Sequence, residues 1–323
     1  MMEAELIDEV AADKAVLDDV RREVAKVFIG PSRVVDFMLV ALLGRGHVLL
    51  EGVPGVAKTT LAKAFASALG VTARRIQFTP DLLPADITGT HVLSPQRGTF
   101  SFREGPVFAN LVLADEINRA PPKTQAALLE AMQEQQVTSE GESFPLPAPF
   151  VVVATQNPID LEGTYPLPEA QIDRFLVHVV LGYPRREDEV AMLVAHNAEL
   201  PRARPILDSG SLCRMQALAR RVHVERDLYE YAVGISAFTR ADSRVLLGAS
   251  PRATLGLVQA AKAAAVLAGR DFATPDDLRE MAVPVLAHRL VLGSELEASA
   301  RTREQVVEAA LAKVGYRKAI RPV

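Results

Sequence analysis

The run Gly52-Val53-Pro54-Gly55-Val56-Ala57-Lys58-Thr59-Thr60 sets one ammonium group and two hydroxyls directly behind a glycine-bearing turn. An apolar run, His47 to Leu50, precedes it, and a helical run, Leu61 to Leu69 closed by Gly70, follows, so the segment reads as strand, loop and helix. A loop of that kind aims backbone N–H groups at phosphate from a helix N-terminus. Residues Pro54 to Thr60 are therefore expected to cradle the phosphates, with Lys58 bridging the β- and γ-phosphates. Thr59 would place its hydroxyl on Mg²⁺, a small hard cation that takes one or two protein oxygens. The general pattern carries glycine before the lysine, where backbone nears phosphate, and this chain has Ala57. Its methyl group must be accommodated.

A second apolar run, Leu111 to Ala114, ends in Asp115-Glu116. Carboxylates leaving the C-terminal end of a strand sit where open α/β sheets bind ligands, which brings this pair beside the phosphate loop. Asp115 would hold Mg²⁺ through its water shell. Glu116 would orient and polarise an attacking water, because phosphoryl transfer depends mainly on positioning and electrostatics.

These side chains need a scaffold. Short Val-, Leu- and Ile-rich runs alternate with longer helical patterns up to Pro184, which predicts a parallel sheet with crossover helices. His47 to Leu50, Arg75 to Phe78, Leu111 to Ala114, Phe150 to Ala154 and Phe175 to Val180 read as its five strands, nearly continuous in apolar residues as a sheet covered on both faces requires. After Pro184 the strand signal ends. Ser250 to Leu267 and Pro275 to Leu292 show helical spacing, with Thr274-Pro275 as a cap-and-start pair. The expected architecture is an α/β domain over 1–184 and an all-α domain over 185–323, with an amphipathic helix over the first thirty or so residues. Two segments, Asp86 to Pro106 and Val137 to Leu146, alternate around turns and read as hairpins.

At 323 residues, with 49% hydrophobic and 24% charged residues, the chain can bury two cores. Its charge divides unevenly, net −8 before Arg185 and net +4 from there on. That split suits either ordinary solvated surfaces or head-to-tail contact between copies. Cys213 is the only cysteine, and the six histidines never fall at metal-ligand spacing, which argues against disulfides and against a zinc or iron site. The acidic N-terminus lacks the features of a signal peptide, and proline interrupts the longest uncharged stretch, so a cytoplasmic protein without membrane insertion is expected.

Five motifs in order, Gly52 to Thr59, Asp115-Glu116-Ile117-Asn118-Arg119, Ala154-Thr155-Gln156-Asn157-Pro158, Leu167 to Phe175 and Ser250-Pro251-Arg252, resemble the MoxR family of AAA+ ATPases over about Val24 to Val314. Phosphate loops ending Ala-Lys-Thr are usual in that family. The resemblance implies an AAA+ αβα core with a helical lid, ATP and Mg²⁺ as ligands, and a ring, most often hexameric. It further implies a chaperone that remodels client proteins, often ones with von Willebrand A domains. Carried over by motif, Asn157 would be sensor 1 near the γ-phosphate, Arg174 the finger given to a neighbouring subunit's nucleotide, and Arg252 a sensor 2 reaching phosphates in cis. Ile29 and Gly30, in Val27-Phe28-Ile29-Gly30, would line the adenine pocket, and Arg119 is either a second contact across the subunit boundary or a helix cap. The two hairpins resemble the family's helix-2 insert and pre-sensor hairpin.

Two rivals remain on the sequence: a ring motor on nucleic acid and a non-hydrolysing nucleotide-sensing scaffold. The first hairpin carries Arg97 and Arg103 against Asp86 and Glu104, and the second Glu140 and Glu142 with no cation, which argues against tracking phosphates. A scaffold would be expected to lack Glu116 or Arg174.

Overall fold

The computed structural model describes residues 2–94, 99–157, 164–196, 201–293 and 300–316. Helices α1 (Met2–Ala25) and α2 (Ser32–Leu43) lead into β1 (Val48–Gly52). Then come α3 (Lys58–Leu69), β2 (Ala73–Gln77), α4 (Pro84–Thr88), the hairpin β3 (Gly89–Ser94) and β4 (Thr99–Glu104), and β5 (Leu111–Asp115). Helix α5 (Pro122–Glu134), the hairpin β6 (Gln136–Ser139) and β7 (Glu142–Pro145), β8 (Val151–Gln156), α6 (Glu169–Ile172) and β9 (Val177–Leu181) complete the sheet half.

The central sheet has the order β2-β5-β8-β1-β9, every pairing parallel. Strand pleating sends alternate residues to opposite faces. Leu111 and Leu113 of β5 join Val151 and Val153 of β8 against α1, α2 and α3, while Val112 and Ala114 join Val152 and Ala154 against α4 and α5. Both faces are dry. Each such buried Val or Leu contributes about 2 kcal/mol relative to exposure, which explains the uninterrupted apolar runs.

The second half is helical: α7 (Arg186–His196), α8 (Ser209–Arg221), α9 (Arg226–Ala241), α10 (Pro251–Leu267), α11 (Pro275–Leu286) and α12 (Ala300–Lys313). Starts are set by side-chain caps. Ser250 accepts the Ala253 N–H at 3.1 Å, and Thr274 with Asp277 forms a reciprocal capping box. The apolar cluster of α8 to α12 is continuous with that of α1 to α3, and Gln216 of α8 donates to the Leu42 carbonyl at 2.7 Å.

Three expectations need correction. Helix α11 ends at Leu286 instead of running to Leu292, because a 3₁₀ turn follows and β11 (Val291–Leu292) pairs antiparallel with β10 (Val245–Leu247), so the second half does contain strand. The N-terminal helix stops at Ala25. The last sheet strand begins at Val177, not Phe175, because the Phe175 carbonyl bonds to side chains of the helical half. Both hairpins form with antiparallel register, although the first turn, 95–98 with Arg97, lies outside the described residues. They pack on each other through Phe102 and Phe144, stacked at 4.0 Å.

Candidate active site

The loop after β1 folds as it does for steric reasons. A Cβ on Gly52 would stand 2.7 Å from the Leu181 carbonyl of β9, so only glycine fits where β1 runs into the turn. Gly55 and Ala57 take left-handed backbone, φ +89° and +60°. For glycine this costs nothing, whereas for alanine it costs roughly 1–2 kcal/mol. Ala57 is thus the N-cap of α3 without a side chain that can cap, and no acidic residue lies in the first turn. The orphan N–H groups of α3 and its positive dipole end are left for an anion.

The Lys58 ammonium is anchored by main-chain acceptors at the mouth of the loop: the carbonyls of Gly52, Val53 (3.4 Å) and Gln156 (3.1 Å). Partial burial lowers its proton affinity, opposed by the carboxylates of Asp115, Glu116 and Glu51. Thr59 donates to Asp115 at 3.1 Å. Asp115, on the C-terminal end of β5, is 4% exposed and also accepts from Thr155 (2.6 Å) and Arg75 (2.7 and 3.1 Å). Burial pushes this carboxyl up, but the bonds from Thr155, Arg75 and Thr59 prevail and hold it below the usual carboxylate range. An ionised carboxylate 3.1 Å from a hydroxyl is a hard-oxygen pair of the kind Mg²⁺ prefers.

Glu116 follows at φ +57°, a strained turn that swings its carboxylate out of the strand. Gln77 donates to its Oε2 at 3.1 Å and Arg119 at 2.8 Å. Arg119, for which a subunit contact or a helix cap was expected, is here the ion-pair partner of its own chain's Glu116.

Asn157 lies one residue past β8, on the same sheet edge, and its carbonyl accepts from Asn118 at 3.1 Å. Pro158, the end of that motif, falls outside the described residues. Val56 and Ala57 of the loop pack on the apolar cluster that also takes Phe28 and Val27, while Ile29 and Gly30 are half-buried just beyond. Arg174 is elsewhere. It precedes β9, whose Val177 pairs with Val48 at the start of β1, so Arg174 sits at the opposite sheet edge from Lys58 and Asp115. Its Nε is buried and has no hydrogen-bond partner among the described residues.

Arg252, in the first turn of α10, acts electrostatically on Arg289 at that second edge. One turn further along α10, a Cβ on Gly256 would meet Arg289 Nη1 at 3.1 Å and Leu176 at 3.2 Å, and Arg289 holds Asp173 at 2.7 Å. Five residues of β1 span roughly 16 Å between the two edges. A cis role for Arg252 would have to span that length, whereas a trans role would place it beside Arg174.

Sequence reasoning missed Arg75, Gln77 and Thr155, which hold the two carboxylates, and Arg289, which holds the segment around Arg174. Only the neighbour order of the strands, with Gln77 in register with Asp115, could have pointed to the first two.

Comparison with known proteins gives concordant results. The family of ATPases associated with various cellular activities (AAA) matches residues 47–177, and an AAA lid domain matches 237–310. The chain is 46% identical to Chaperone MoxR1 of Mycobacterium tuberculosis, over 94% of this chain and 83% of that protein. It is 43% identical to YeaC of Bacillus subtilis over 90% of this chain and 91% of the other. A candidate ATPase from Cytophaga hutchinsonii superposes with a TM-score of 0.88 at 39% identity, covering 98% of this chain and all of that one.

Proposed function

The chain belongs to the MoxR family of AAA+ ATPases, and from that membership we propose that it hydrolyses ATP with Mg²⁺ at sites completed between neighbouring copies of itself. The observation that supports this reading best is the Thr59 hydroxyl 3.1 Å from the ionised Asp115, at the mouth of a loop whose helix N-terminus is uncapped.

In this reading the α3 N–H groups and residues Pro54 to Thr60 hold the phosphates, and Ile29 and Gly30 line the adenine. Lys58 leaves its main-chain acceptors for the β- and γ-oxygens as a point charge. Thr59 and Asp115 would hold Mg²⁺, which when bound supplies a dication against the phosphate charge. Glu116 orients the attacking water, and its bonds to Gln77 and Arg119 set the carboxylate's direction. Asn157, a neutral amide on the same edge, adds a donor toward the γ-phosphate or that water.

Arg174 lies at the other edge and completes a neighbour's site, where a guanidinium meets charge developing in the transition state. Arg252 travels with it. Sites built from two edges of different copies require head-to-tail contact, closed into a hexameric ring by family analogy, and the acidic and basic halves suit such contact. The unit over 1–184 carries the nucleotide, and the helical unit over 185–323 acts as lid. The resemblance to a protein named as a chaperone supports coupling of hydrolysis to the remodelling of client proteins; by family analogy those clients include ones with von Willebrand A domains, and the cytoplasm is the expected place of action. Among the described residues no helix is long and apolar enough to cross a membrane.

Phosphate release and nucleotide titration on wild type, Lys58→Ala and Glu116→Gln test the proposal. Lys58→Ala should lose nucleotide binding, whereas Glu116→Gln should keep it and lose turnover. Near wild-type hydrolysis by Glu116→Gln would refute the water-orienting role.

A further inference from the structure

Arg174 is flanked by two peptide carbonyls, and both are taken by the helical half of the same chain. Arg289 donates through Nη2 to the Asp173 carbonyl at 3.1 Å and to the Phe175 carbonyl at 2.9 Å, and His288 donates through Nε2 to the same Phe175 carbonyl at 3.1 Å. Arg289 Nε approaches Asp173 Oδ1 at 2.7 Å as an ion pair, and Nη1 is tied back to the last turn of α11 at the Val285 carbonyl, 2.9 Å away. The Arg289 side chain is 5% exposed.

A cation so deeply buried is a poor way to gain stability, since packed apolar side chains of similar volume commonly do as well or better. What an apolar residue could not supply is a rigid fork of donors in fixed geometry. That fork grips the main chain immediately before and after Arg174. The grip also explains the late start of β9, because the Phe175 carbonyl turns to Arg289 and His288 and takes no place in the ladder. Opposite Arg289, α10 carries Gly256, where a Cβ would stand 3.1 Å from Nη1 and 3.2 Å from Leu176. Glycine is a poor helix former at this position compared with alanine, and it leaves the guanidinium its room.

We propose that Arg289 is a positioning residue for Arg174, fixing from the lid the backbone that aims this arginine at the neighbouring subunit's nucleotide. The inference rests on the trans role given to Arg174 above. Lid and finger then move as one piece, so the angle of a subunit's lid sets how well its Arg174 reaches the next site. A displacement of about 1 Å at a catalytic group can cost roughly 10²-fold in rate, so a small loosening of the fork is enough to be read kinetically.

The test uses the full-length protein and Arg289→Lys, which keeps the charge and loses the fork. Its kcat should fall at least tenfold while ATP affinity stays within twofold of wild type. Mixed with Glu116→Gln subunits, Arg289→Lys should regain activity, because an intact Glu116 then meets a well-placed Arg174 from the other copy. Mixed with Arg174→Ala it should regain none, since neither partner offers a placed finger. Gly256→Ala, which crowds Nη1 and keeps every charge, should lower kcat and fall in the same complementation class, and it carries the test if Arg289→Lys does not fold. Recovery of activity in verified mixed rings of Arg289→Lys with Arg174→Ala, or wild-type turnover by Gly256→Ala, overturns the proposal. A failure of Arg174→Ala and Glu116→Gln to complement each other overturns instead the trans role itself.

Discussion

The Thr155 hydroxyl lies 2.6 Å from Asp115 Oδ1 and donates to it across two neighbouring strands. Its oxygen also accepts the Glu116 backbone N–H at 2.9 Å. One fully buried hydroxyl on β8 thereby fixes both consecutive acidic residues that end β5. Threonine suits this place twice over, because its branched Cβ fits the strand and restricts the directions open to its Oγ1.

Thr155→Val keeps the shape and removes the hydroxyl. It leaves a buried carboxylate short of one donor and a buried N–H without an acceptor, a loss of about 1–3 kcal/mol. Denaturant unfolding should show that loss. Turnover should fall while ATP affinity changes less, because Lys58 and the loop are untouched. Unchanged stability and unchanged kcat together would mean that Thr155 does not hold the pair.

Ala57 makes a second prediction, because its left-handed backbone is the one feature of the loop that its sequence disfavours. Ala57→Gly relieves about 1 kcal/mol of strain and adds a similar entropy to the unfolded chain, so stability should shift by less than about 1 kcal/mol and ATP binding should persist. Ala57→Val puts a branched side chain at positive φ and should lose nucleotide binding. Calorimetric titration of both variants separates a backbone requirement from a requirement for the methyl group.

Much of this was legible in advance. The five strands and the phosphate loop announce themselves locally, as short apolar runs and a glycine-bearing turn, and the observed strand ends differ by only a few residues. The restraints on the carboxylates do not, because Arg75 and Gln77 matter only once β2 is known to lie beside β5. Arg289 was invisible for the same reason, lying 116 residues from Asp173. The end of α11 was misjudged because Val291 and Leu292 continue an apolar pattern that suits helix or strand, and pairing with β10 decides for strand.

His47, just before β1, should make the fold acid-sensitive. It is buried, its Nε2 donates to the Met132 carbonyl at 3.2 Å, and its Nδ1 accepts the Val152 N–H at 3.0 Å, which fixes a neutral ring. Burial lowers its pKa to about 4. The unfolded chain, with an ordinary histidine near 6.5, therefore binds the proton first, and stability is lost as pH falls through that window. Between pH 7 and pH 5 this group should cost about 2 kcal/mol. His47→Gln, whose amide can make both bonds without titrating, should show a loss smaller by that amount in urea melts at the two pH values. Equal pH slopes for the two proteins would exclude His47 as the source.

Arg252 gives the sharpest prediction, because the two possible directions of its reach predict opposite outcomes. It lies on α10 one turn before Gly256, which faces Arg289 and Leu176, and it acts electrostatically on Arg289, whereas Lys58 follows the far end of β1. If it serves a neighbour, an Arg252→Ala subunit still owns a complete loop and Glu116, and it needs only a sound neighbour. Mixing it with Glu116→Gln should then restore hydrolysis, since the Glu116→Gln copy donates both Arg174 and Arg252. Mixing it with Arg174→Ala should not, because every interface lacks one of the two arginines. If Arg252 acted in cis the pattern would invert. Arg252→Ala with Arg174→Ala would then recover, since the Arg174→Ala copy keeps its own Arg252 and receives a finger, and Arg252→Ala with Glu116→Gln would stay dead. Phosphate release from rings whose mixed composition is verified by native mass spectrometry decides between them, and recovery of the Arg174→Ala pair would return Arg252 to its own subunit's nucleotide.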